Sequence, residues 1–136
     1  MITSTSNARV QWIRSLQRKR KARQTEGVFV IEGTRLGEEA LRAGVSPRLV
    51  VHGPEPDERT STLVHTFARR GAPILAVSDR VMESCASTEA PQGFVAVVPI
   101  LLWSWSLARK KQWTLHKRVQ LSTAVVLGIV VLLFEI

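Results

Sequence analysis

Hydrophobic positions in the first 99 residues switch repeatedly between helical and extended spacing. In residues 7–21, NARVQWIRSLQRKRK, the apolar side chains Val10, Ile13 and Leu16 recur along one helical face, with Ser6 or Asn7 as the N-cap. GVFVIEG is a β-branched and aromatic run between glycines, the pattern of a buried strand. TRLGEEALRAG predicts a helix capped by Thr34, with Glu38 and Glu39 in its early turns and Gly44 at its stop. RLVVHG reads as a second strand and PEPDE as a polar turn. Leu63, Val64, Phe67 and Ala68 then share a face of a helix ending at Arg69, Arg70 and Gly71. PILAVS is a third strand, residues 79–86 a short helix, STEAPQG a loop, and FVAVV a fourth strand. The order α-β-α-β-α-β-α-β predicts the α/β class, built as a small three-layer sandwich with helices on both sides of a sheet.

The pattern breaks at Ile100. ILLWSWSLARKKQWTLHKR shows neither alternation nor a helical stripe, and an apolar run extends from Ala124 to Phe134. That run is shorter than the roughly 20 residues a membrane-spanning helix needs. Extending it over residues 119–136 takes in Gln120 and Glu135, which makes a marginal span. The expected organisation is a domain over residues 1–99 followed by a basic, hydrophobic tail over 100–136.

Charge sharpens this division. The net formal charge is +8, and residues 1–25 carry seven basic side chains and no acidic one. Residues 26–99 hold seven basic and ten acidic side chains, and residues 100–136 hold five and one. A concentrated cationic segment suits a polyanion, nucleic acid or anionic lipid, because neutralisation releases condensed counterions. Cys85 is the single cysteine, which excludes an internal disulfide and a thiolate zinc cluster. It is expected as a small buried apolar residue in a reducing, cytoplasmic compartment. The N-terminus lacks the apolar stretch of a secretory signal.

Two segments carry candidate chemistry. In RSLQRKRKAR, a continuous helix places Arg14, Arg18 and Lys21 on one face, able to track a phosphate backbone; the competing reading is a solvated basic face. Trp12 either stacks on an unpaired base or joins the core beside Ile13. FVIEGTR ends a strand in Glu32-Gly33 and puts Arg35 at the start of a helix, where open α/β sheets favour ligands. That glycine serves equally well as a tight turn. The glycine spacing fits neither a dinucleotide fingerprint nor a P-loop. His52, His65 and His116 are too scattered for a metal or triad site, no metal site is expected, and Glu55, Asp57 and Glu58 read as a solvated turn.

Four elements occur in order: Ser6-Asn7 before a basic helix, a Lys/Arg run ending at Arg23, Phe29 with Glu32-Gly33, and the Thr88-Glu89-Pro91-Gln92-Gly93 loop. Together they resemble the N-terminal substrate-binding domain of the SpoU/TrmH family of RNA 2′-O-ribose methyltransferases. Asn7-Ala8 stands where that family usually shows Asn-Pro. The resemblance implies a fold similar to small ribosomal proteins that bind kinked RNA, and recruitment of structured RNA, typically ribosomal. The RNA contacts it implies are Asn7, Arg9, Arg14, Arg18, Lys19, Arg20, Lys21, Arg23 and Arg35.

The family's S-adenosylmethionine-binding catalytic domain has no counterpart after Val98, so catalytic and cofactor residues are expected to be absent here and the chain inactive alone. Three origins fit the tail. It is a frameshift or truncation product, a membrane-associated segment with Trp103, Trp105 and Trp113 at the interface, or a strand completing the soluble domain. The leading expectation is an RNA-recognition module. Its rivals are a membrane-associated protein inserting residues 119–136, and an enzyme whose catalytic domain is supplied by another chain. The resemblance leaves the oligomeric state open.

Overall fold

The computed structural model describes residues 1–87, 93–100, 129–131 and 133. Its elements are α1 (Ala8–Arg18), α2 (Arg20–Glu26), β1 (Val28–Glu32), α3 (Thr34–Arg42), β2 (Leu49–His52), α4 (Glu58–Arg69), β3 (Ile74–Ala76), α5 (Asp79–Cys85) and β4 (Phe94–Pro99). The strands form one mixed sheet in the order β1-β4-β2-β3. β4 lies antiparallel to both neighbours, with Ala96 opposite Ile31 on one side and Val50 on the other. β2 and β3 are parallel, joined through α4.

The period-two rule explains why β4 is central. Its Val95 and Val97 enter a core with Val10, Ile13 and Leu16 of α1 and Val81, Met82 and Cys85 of α5. Its Phe94, Ala96 and Val98 enter a second core with Ala40 of α3 and Leu63, Val64 and Phe67 of α4. A strand apolar at every position needs helices on both sides, and each buried valine is stabilised by about 1.5–3 kcal/mol relative to exposure. The expected three-layer α/β sandwich is what forms. Gly37 lets α3 approach closely: a Cβ there would lie 2.6 Å from both Leu63 Cδ2 and Phe94 Cε1.

Two local expectations are corrected. The first helix is not continuous, because Lys19 is extended (φ −116°, ψ 109°) between α1 and α2. Thr34 does not cap α3. Gly33 occupies that position, and the Thr34 hydroxyl instead shares a 2.7 Å hydrogen bond with the buried Thr60 hydroxyl of α4. Chain pairing continues through Ile100, whose N–H donates to the Gly27 carbonyl at 3.0 Å. Beyond it, residues 129–131 and 133 are helical and exposed; the other tail residues, with the expected membrane contact, lie outside the described residues, as do residues 88–92 of the loop. Among the described residues no helix is long and apolar enough to cross a membrane.

Candidate nucleic-acid interface

The apolar stripe of α1 runs out at Leu16, and α2 buries none of its own residues. A straight extension would carry Arg18–Lys21 along a helix with no acidic residue to offset like-charge repulsion. Instead the chain opens at Lys19 and turns towards β1. The Arg23 guanidinium closes this elbow by donating from Nη1 to the carbonyls of Leu16 (2.6 Å) and Gln17 (3.4 Å). Those carbonyls lie in the last turn of α1, where acceptors lack intrahelical partners and a cation meets the negative end of the helix dipole.

Arg18, Lys19, Arg20 and Lys21 are all exposed at the elbow, and Arg9 is exposed at the other end of α1. None of the seven cations of residues 1–25 forms an ion pair among the described residues, whose salt bridges are Arg35–Glu39, Arg48–Glu26 and Arg59–Glu38. The break removes the shared face expected of Arg14, Arg18 and Lys21. Arg14 is half-buried, its Nε without a hydrogen-bond partner among the described residues, and its charge reaches Cys85. Burial pushes the Cys85 thiol up, against smaller opposing effects of Ser84 and Arg14; this is the inert, packed cysteine expected.

Asn7 caps α1, its Oδ1 accepting from the N–H groups of Arg9 (3.0 Å) and Val10 (3.4 Å). Trp12 is half-buried against the α1/α5 core, which favours the packing reading. Glu32 joins three segments: its Oε1 accepts from Gln17 Nε2 at 2.7 Å and from the Ser87 N–H, while Gln17 Nε2 also donates to the Cys85 carbonyl. Gly33 (φ 91°, ψ 148°) holds backbone angles that only glycine adopts without strain, and its N–H donates to the Phe94 carbonyl. Glu32-Gly33 is thus a structural tie and turn. It brings the end of α1, next to Arg18, to the same end of the sheet as Arg35. The Arg35 side chain is 85% exposed, and its nearest carboxylate, Glu39, lies at 3.9 Å.

At the strand ends lies an open cavity of about 680 Å³, lined by Gly53, Pro54, Glu55, Pro56, Asp79, Met82, Glu83 and Gly93. Its three carboxylates set it apart from the basic elbow and make it repellent to phosphate. In the turn beside it, Asp57 caps α4, and the Thr60 N–H and hydroxyl hold its carboxyl below the usual carboxylate range. Sequence reasoning missed the roles of Gln17, Glu32 and Arg23 as ties, since each depends on a partner that only the tertiary fold supplies.

Residues 7–96 match the model of the MRM3-like substrate binding domain. The chain belongs to this family. This substrate-binding domain also matches an rRNA methyltransferase from Sinorhizobium meliloti at 26% identity and a TM-score of 0.63, over 72% of this chain and 36% of that one. An RNA 2′-O ribose methyltransferase matches at 27% and 0.62, over 73% and 37%. The SpoU methyltransferase AviRb from Streptomyces viridochromogenes, at 24% and 0.58 over 69% and 33%, shares the fold. No curated protein matches. The chain therefore spans about a third of the solved structures it matches.

The resemblance to SpoU/TrmH substrate-binding domains thus holds, and the Sinorhizobium meliloti rRNA methyltransferase, 26% identical, has been solved with S-adenosylmethionine bound. The described cavity does not fit that cofactor. Among the described residues no aromatic ring lines it to stack an adenine, and none of its lining side chains is a cation that would hold the cofactor's carboxylate. We assign no step of methyl transfer to these residues.

Proposed function

We propose that this substrate-binding domain recruits structured RNA, ribosomal RNA in the cell, for a ribose 2′-O-methyltransferase of the cytoplasm. The recruiting unit is residues 1–99, distinct from the tail over 100–136. Recognition belongs to this unit, and methyl transfer from S-adenosylmethionine to a catalytic domain beyond it. The observation that carries the reading is the row of exposed cations at the elbow, Arg18, Lys19, Arg20 and Lys21, none ion-paired among the described residues. Unpaired cations on a rigid scaffold are free to replace the counterions of a phosphate backbone. Arg9, Arg14 and Arg35 extend the surface, and the capping Asn7 borders it.

A filter-binding series with an RNA hairpin tests this. Affinity should fall on the order of a hundredfold between about 50 and 200 mM salt, as four phosphate contacts require. Replacing Arg18, Lys19, Arg20 and Lys21 together by Gln should remove most of that dependence. Equal binding by this variant and the original chain would refute the assignment.

A further inference from the structure

Among the described residues, Arg23 is the one cation of the N-terminal segment whose charged group donates hydrogen bonds to the protein itself. Its Nη1 lies 2.6 Å from the Leu16 carbonyl and 3.4 Å from that of Gln17, and the side chain is half-buried. The span it closes contains Arg18, Lys19, Arg20 and Lys21, all exposed. Within that span Lys19 is extended, and the start of α2 has no side-chain cap. Among the described residues no apolar side chain of α2 is fully buried and only Ala22 packs against the core, while the Glu26–Arg48 ion pair holds the far end of α2 and leaves the Lys19 end to Arg23.

We propose that Arg23 is the positioning residue of the RNA-binding elbow and not one of its phosphate contacts. By bridging the open end of α1 to α2 it holds the backbone that carries four neighbouring cations in one arrangement. Ordering a free chain along a phosphate backbone costs conformational entropy, a cost that salt does not screen. A prearranged elbow meets that cost during folding. This inference rests on the proposed RNA-binding role, and it departs from the expectation that every cation of the run touches RNA.

The two roles differ in what salt does. A residue that contacts phosphate contributes about 0.7–0.9 to the slope of log affinity against log salt, and its loss matters less as salt rises. A positioning residue leaves the bound contacts unchanged, so its loss lowers affinity by the same factor at every salt concentration. The test uses the whole 136-residue chain and an RNA hairpin, comparing Arg23→Gln with Lys21→Gln.

Lys21→Gln should give a shallower line. Arg23→Gln should give a line parallel to the original and displaced to about fivefold weaker binding, the cost of ordering roughly one backbone residue. A shallower Arg23→Gln line would overturn the proposal in favour of a phosphate contact. A superposed line would overturn it in favour of a purely structural role. If Arg23→Gln does not fold, Arg23→Lys takes its place, because it keeps the charge but lacks the planar guanidinium fork. A parallel, weaker Lys line supports positioning, and a superposed one contradicts it. If the original chain shows no salt-dependent RNA binding, the RNA-binding reading has failed, which is a different result from any of these.

Discussion

The two helical layers over the sheet handle charge in opposite ways. On the α3/α4 side, acids and bases are interspersed: Arg59 pairs with Glu38, and Arg35 faces Glu39. On the other side, the seven cations of α1, α2 and their junction meet a single acid within those two helices, Glu26, which is itself taken by Arg48 of the segment leading into β2; the acids of α5 in the same layer, Asp79 and Glu83, border the cavity at the strand ends. Exposed pairs of the first kind add little stability and leave no net field. The second layer keeps its field and must be held in shape by other means, namely the Asn7 cap, the Glu32 tie and the Arg23 clasp. The same sheet thus carries a packing layer on one side and a charged layer on the other.

The packing layer should be the more sensitive to added volume. Gly37→Ala inserts a Cβ against Leu63 and Phe94 and should destabilise the fold by about 1–3 kcal/mol despite the better helix propensity of alanine. Denaturant unfolding checks this, and RNA affinity of the folded variant should be unchanged. The charged layer depends more on its caps. Asn7→Ala should cost about 1 kcal/mol in the same assay.

The smallest expected effect concerns pH. Asn7 is a neutral cap, whereas the packing layer uses Asp57, whose carboxyl is held below its usual range by the Thr60 N–H. A depressed carboxyl adds stability above the ordinary carboxylate range, and that contribution is lost as pH falls through its folded value. Asp57→Asn should therefore flatten the acid limb of the stability curve. No comparable change is expected in the acid limb for Asn7→Ala.

Much of this division is legible in the sequence. Val10, Ile13 and Leu16 are fully buried where their spacing puts them, and FVAVV forms the central strand that its unbroken apolar run suggests. The break at Lys19 is not legible, because residues 17–24 are almost all good helix formers without Gly or Pro. It arises where the apolar stripe ends and Arg23 finds carbonyls six and seven residues back. Thr34 misleads for a similar reason: Gly33 already adopts the capping conformation, and a buried threonine from another helix claims the hydroxyl. The basic run was visible as charge, but which cations are exposed and which is the clasp depends on that turn.

The central claim is that charge on the α1/α2 layer, not charge in general, binds RNA. Two variants of equal net charge test it: Arg18→Gln with Lys21→Gln on the elbow, and Arg42→Gln with Arg69→Gln, both exposed, on the opposite layer. In parallel salt titrations with one RNA hairpin, the elbow pair should lose about 1.4–1.8 units of slope and the opposite pair almost none. Equal losses from the two layers would contradict the account.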